Sequence, residues 1–169
     1  MAEASDVVEL LQQQHLRIRE LMTRVADTKG EERAEVFHEL VRLLVVHETA
    51  EEEVVHSYAK SKIENGEHVV GDRITEEEGI KRLLKQLAEE KNLDSPEFQR
   101  RFETLRKDVE SHADKEEREE FARLRSAADR KQLEGLAVLV KAAEAVAPTH
   151  PRPGTDTAAK NLAIGPWPR

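Results

Sequence analysis

Apolar residues recur along the chain at steps of three or four in four long blocks, the periodicity of helices that bury one stripe. The first block opens at Ser5-Asp6, where Asp6 and Glu9 have capping-box spacing. It steps through Val7, Leu11, Ile18, Met22 and Val25 and stops at Gly30. The second runs from about residue 32 to 60, with Val36, Leu40, Leu44, Val54 and Tyr58 on one stripe. Asn65-Gly66 and Gly71 bracket a predicted loop that holds His68. A third helix is predicted from about 72 to 90, with Ile80, Leu84 and Leu87 inward. Ser95-Pro96 reads as an N-cap followed by proline at the first helical position, and the fourth helix then carries Phe98, Phe102, Leu105 and Val109. A weaker block from about 129 to 147 has Leu133, Leu136, Val140 and Ala143 as its apolar edge, and a proline-rich tail follows.

These blocks predict an all-α fold. Residues 1–125 are expected to form an up-down-up-down four-helix bundle, and 126–169 an extension with a short C-terminal helix and an irregular tail. Composition narrows the function classes. With 27 basic and 35 acidic side chains the net charge is −8, which argues against a nucleic-acid groove or a polybasic membrane surface. The absence of cysteine removes disulfides, thiolate metal sites and cysteine nucleophiles. No apolar run approaches the ~20 residues of a membrane span, and MAEASDVVEL carries no signal-peptide pattern. The expectation is a soluble cytoplasmic protein with neither nucleic-acid nor membrane partner.

The informative residues interrupt the stripes. His15 sits four after Leu11 and three before Ile18. The second helix reads Leu40, Leu44, His47, Glu51, Val54, Tyr58, and the fourth reads Phe98, Phe102, Leu105, Val109, His112, Glu116. Each places a histidine and a glutamate, i and i+4, where a bundle wants leucine, and such a pair can converge on one ion or bridge two. His-x-x-x-acid pairs alone are weak: about 1.4 are expected by chance from this composition, and three occur, since His68 and Asp72 also fit. Placement on the stripe is the stronger signal, because buried charges are costly unless paired or bound to metal. Measured from the predicted turns, His15, His47, Glu77 and His112 lie at similar depth, as a metal site inside a bundle requires.

In this order and spacing, His15, His47-Glu-Thr-Ala-Glu51 and His112-Ala-Asp-Lys-Glu116 resemble a hemerythrin domain, the HHE cation-binding family, over about residues 5–125. The resemblance implies a non-haem di-iron centre, two Fe ions with oxo or carboxylate bridges, that takes O₂ or peroxide as its small ligand. Glu51 and Glu116 would bridge, with His15 and His47 terminal on one iron and His112 on the other. The third helix departs from the family pattern. Glu77 stands where a histidine is expected, within Glu76-Glu77-Glu78-Gly79-Ile80-Lys81, and Lys81 occupies the place of a second histidine. Glu77 has the inward register, Glu76 remains feasible, and Glu78 fits less well.

Carboxylate in place of imidazole makes the site harder and favours the ferric state, which points away from reversible oxygen carriage and toward oxidative or peroxide-handling chemistry, or a metal other than iron. Peroxide disproportionation competes with a sensor or store that only binds. A metal-free helical interaction module and a single-ion zinc protein are the other classes. Tyr58, two turns beyond Glu51, is either a packing residue or a phenol near the metal. His56 lies nine after His47, about 180° round a regular helix, and is expected to face away. His38, His68 and His150 are expected at the surface, and Trp167 as a tail anchor.

Overall fold

The computed structural model describes residues 4–149, and no strand occurs among them. Helix α1 spans Val7–Asp27, and its N-terminus is held by Asp6, whose side chain accepts from the amide of Glu9. Glu9 reaches back to the backbone N–H and the hydroxyl of Ser5. Helix α2 is one continuous helix in three stretches, Gly30–Ala50, Glu51–His56 and Ser57–Lys62, with right-handed helical backbone at both joints. Helix α3 spans Gly66–Ala88. Helix α4 again has three stretches, Pro96–Lys115, Glu116–Phe121 and Ala122–Ala127, and is capped by the Ser95 hydroxyl on the amide of Phe98. Helix α5, Arg130–Val146, opens with a full capping box between Asp129 and Gln132.

The predicted loop at 65–71 is instead the first turn of α3. Asn65 takes a left-handed φ of 57° and reverses the chain in a single step. Gly66 follows because a Cβ there would lie 2.5 Å from the carbonyl oxygen of Ala59. His68 and Asp72 are an exposed pair on that turn.

The middle stretches of α2 and α4, Glu51–His56 and Glu116–Phe121, are π-helical. A π-turn closes its hydrogen bond one residue later than an α-turn, so everything beyond it is rotated by about one position. The apolar stripe of α2 therefore continues through Val55, Ala59 and Ile63. The expected Val54 and Tyr58 are only partly buried against the same cluster. In α4 the stripe resumes at Phe121 and Leu124 for the same reason.

Helix α1 packs on α2, α3 on α4, and α5 lies against α1 and α2. The apolar residues form two clusters. One joins Ile18 to Val25, Val36 to Val45, Ile80 to Leu87 and Phe98 to Val109. The other joins Val7 to Leu11, Ala50 to Ile63, Val69, Val70, Phe121, Leu124 and the inner face of α5. Between the two, every helix from α1 to α4 contributes buried polar side chains: His15; His47, Glu48, Glu51 and His56; Arg73, Glu77 and Lys81; His112, Glu116 and Glu120. Among the described residues no helix is long and apolar enough to cross a membrane.

Candidate metal centre

All six residues expected at the site meet in this layer. His15, His47 and His112 are nearly buried, and Glu51, Glu77 and Glu116 are wholly buried. The Nε2 of His15 lies 3.3 Å from Glu116 and 4.0 Å from Glu51, and the Nε2 of His47 contacts Glu51 directly. The Nε2 of His112 stands 3.4 Å from both Glu77 and Glu116. On α3 Glu77 lies wholly buried in this layer, while Glu76 is partly exposed and contacts the Nδ1 of His112.

His56 corrects the expectation that it faces away. It is 1% exposed, and its Nε2 lies 2.7 Å from Glu77 and 3.8 Å from Glu51 and Glu116. The π-turn between Glu51 and His56 supplies the missing rotation. The same turn in α4 directs Glu120 inward, where it accepts from the other nitrogen of His56 at 2.7 Å. Glu48 is also buried here, and Lys81 pairs with Glu52 at 2.6 Å. From the sequence Lys81 was noted only as standing in the place of a second histidine and His56 only as facing away, and Glu48 and Glu120 were not singled out. The signal was present in the phase: Val55, Ala59 and Ile63 on α2, and Phe121 and Leu124 on α4, fall one residue out of step with the stripes before them.

The four imidazoles share one arrangement. Each turns Nε2 toward Glu51, Glu77 and Glu116, and each has Nδ1 on an acceptor outside that group. The acceptors are Glu117 for His15, Gln14 for His47, Glu120 for His56 and Glu76 for His112, at 2.6–2.9 Å. An acceptor on Nδ1 keeps the ring hydrogen there and leaves a lone pair on Nε2, as metal-binding histidines require.

The electrostatics follow from crowding like charges in a dry layer. Burial and the charge of His15 push His47 down to about 3, so its ring is neutral. Burial and the neighbouring Glu116 push Glu51 well above the usual carboxylate range. Burial opposes ionisation of Glu77 too, but His56 and His112 outweigh it and hold the group down to about 2. Burial, with the charge of Glu77, raises Glu52 to about 7 despite Lys81.

Whether a metal suits this layer is tested by its unpartnered atoms. Both oxygens of Glu51, both of Glu116, one of Glu77 and the Nε2 of His112 are buried with no hydrogen-bond partner. Acceptors facing one another in a low-dielectric interior repel unless cations stand between them. The donors sort into two groups, His15, His47, Glu51, Glu116 and Glu51, His56, Glu77, Glu116, each with its donor atoms within 4.8 Å of one another. The two groups share Glu51 and Glu116. Imidazole and carboxylate donors without sulfur suit iron or manganese.

Beside the rings of His15, His47 and His112 lies a small cavity, closed by Ile18, Leu44, Glu48, Val109 and Ala113. About 10 Å³ of it is open to a water-sized guest, roughly the room one water needs.

Tyr58 packs beside this layer. Its hydroxyl is buried without a partner, and its ring packs on the apolar cluster and lies under the Lys62 ammonium. His38 is exposed, while His150 and Trp167 fall outside the described residues.

No curated protein matches the chain. Its helices superpose on the crystal structure of a hemerythrin HHE cation binding domain-containing protein from Mycobacterium kansasii with a TM-score of 0.73. The identity is 21%, over 84% of this chain and 86% of that one, a likeness of fold. The profile of the hemerythrin HHE cation-binding domain matches residues 6–124, and the chain therefore belongs to that family.

Proposed function

We propose that the chain is a non-haem di-iron protein that binds O₂ or peroxide and reacts with it, with peroxide disproportionation as the leading activity. The observation that carries this reading is the pair of donor groups sharing Glu51 and Glu116, with four imidazoles locked in the metal-binding orientation. His15 and His47 would hold one ion, His56, His112 and Glu77 the other, and Glu51 and Glu116 both. Bound there, iron would supply a redox-active Lewis acid for a small oxygen ligand.

The chain's own residues set the conditions. The cavity beside His15, His47 and His112 has room for about one water-sized guest, and Ile18, Leu44 and Val109 supply its apolar walls. Glu117, Gln14, Glu120 and Glu76 hold the rings still, so ordering the ligands costs little when an ion arrives. Glu77 adds a fixed negative charge where an imidazole would be neutral, which favours the ferric state. In this reading α1 to α4 run up-down-up-down around the centre, residues 1–125 form the bundle, and 126–169 the extension. The chain acts as a soluble cytoplasmic protein without nucleic-acid or membrane partners.

The test is metal content per chain after expression in iron-replete cells, with an absorption spectrum and a melting curve before and after chelation. The expected result is about two irons with near-ultraviolet charge-transfer bands, a lower Tm after chelation, and catalytic turnover of hydrogen peroxide. Absence of iron with chelation-insensitive melting would overturn the proposal and leave a metal-free helical module. A stoichiometric spectral change without turnover would reduce the protein to a binder.

A further inference from the structure

The four inward imidazoles differ in what holds their outer nitrogens. His15, His56 and His112 each face a carboxylate, of Glu117, Glu120 and Glu76. An ionised carboxylate only accepts, so those rings keep a hydrogen on Nδ1 whatever Nε2 carries, and it is Nε2 that is freed for a metal. His47 faces the side-chain amide of Gln14 instead, with its Nδ1 2.6 Å from Oε1. An amide is two-faced: turned over, it would offer His47 a donor and drive the ring hydrogen to Nε2. His47 would then point a hydrogen, not a lone pair, at the shared Glu51.

What holds the amide lies on α5. Gln14 Nε2 donates to Glu144 Oε2 at 2.6 Å. Turned over, Gln14 would set its carbonyl oxygen against that carboxylate, so the charge of Glu144 selects one amide orientation and, through it, one ring tautomer. We propose that Glu144, acting through Gln14, fixes the tautomer of His47 and makes the C-terminal helix a working part of the metal centre. Neither residue is in a donor group; both are positioning residues. Glu144 also lies beyond residues 6–124, the span matched to the family. The inference rests on the metal-binding reading above, yet the tautomer is equally a property of the metal-free chain.

The experiment has two readouts. The ¹⁵N-labelled full chain is stripped with chelator, and long-range ring ¹H–¹⁵N correlations show which nitrogen of His47 carries the hydrogen. Fe(II) affinity is measured anaerobically on the same proteins. Burial raises the Glu144 carboxyl while Gln14 and Lys141 oppose it, so the work is done at pH 8, where the carboxylate form is favoured. In the parent chain His47 is expected as Nδ1–H. Glu144→Leu should move His47 toward Nε2–H, leave His15, His56 and His112 unchanged, and weaken Fe(II) binding about 10- to 100-fold.

The exchange Q14E/E144Q should restore both readouts, because it puts a pure acceptor beside His47 and a donor behind it. His47 remaining Nδ1–H in Glu144→Leu would overturn the inference, and so would an affinity loss that the exchange does not repair. If Glu144→Leu fails to fold, the isosteric Glu144→Gln removes the charge alone. Mixed His47 tautomers in that variant support the inference, and an unchanged Nδ1–H signal overturns it. If the parent chain binds no metal, the metal-binding reading fails while the ring signals still decide this one.

Discussion

The Nε2 of His56 stands 2.7 Å from an oxygen of Glu77, joining the π-turn of α2 to the middle of α3. The pair explains how a carboxylate can replace a histidine on α3. In the proposed centre the imidazole that α3 lacks would come from α2, one π-turn beyond Glu51, with Glu120 bonded to it from behind.

Replacing His56 by leucine should therefore strip one donor group and spare the other. Metal content per chain is expected to fall by about half, with the group around His15 and His47 still filled. Elemental analysis of His56→Leu beside His68→Leu checks this, since His68 is exposed and pairs with Asp72 away from the centre. Equal metal content in the two variants would remove His56 from the centre.

Glu77→His restores a neutral ligand and removes one negative charge from the layer. The midpoint potential should rise and the reduced form should persist longer in air. Potentiometric titration followed by the charge-transfer bands measures both. An unchanged potential would mean that Glu77 does not reach the metals.

Stability of the metal-free chain should fall as pH rises above about 6.5, the ordinary histidine value. Burial works against protonation of His15, His56 and His112, but the carboxylates around them outweigh it and all three are raised. The folded chain then holds more protons than the unfolded one, so this contribution is complete below the unfolded value and is lost as pH climbs through the folded values. Glu48 and Glu51, raised by burial and neighbouring carboxylates, add to the same slope. His47, held at about 3 in the folded chain, is charged only in the unfolded chain below about 6.5, so it opposes the trend between pH 6 and 7 and adds nothing above. Urea midpoints in chelator at pH 6, 7, 8 and 9 should decline in order. The metal-loaded chain should show the reverse trend, because ligands shed protons to bind.

Leu44 is wholly buried and lines the small cavity. Leu44→Ala should cost about 2–5 kcal/mol of stability and enlarge the cavity. Turnover of tert-butyl hydroperoxide relative to hydrogen peroxide should rise in that variant. If the ratio is unchanged, the guest enters elsewhere.

Much of this was legible in the sequence, because i and i+4 spacing is strict wherever a helix is regular. His15, His47, Glu51, His112 and Glu116 were each found from a stripe that stayed in phase up to that residue. The reading lost accuracy where the helix itself changed pitch. Val54 and Tyr58 continue the stripe of α2 on an α-helical count, yet Val55 and Ala59 are the residues with no exposed surface. The same slip hid His56 and Glu120. Glu48 was missed for another reason: it adjoins His47 and lies off the apolar stripe, where a lone glutamate reads as solvated unless a neighbouring helix covers it. Gln14 drew no notice because its role depends on α5, which no local pattern connects to α1.

The buried charges of α1 to α4 also divide the molecule. Apolar packing holds each side together, but across the middle the two clusters are joined by carboxylates and imidazoles, several of whose buried atoms have no hydrogen-bond partner. A filled centre acts as a rivet through four helices. An empty one leaves a seam, and cooperativity should break there first, with the two ends behaving as separate foldons. Amide hydrogen exchange would then be fastest in the chelated chain around Glu51 and Glu116, while Leu21 and Leu136, well inside either half, keep their protection. Loading the protein with metal would make it unfold as one piece.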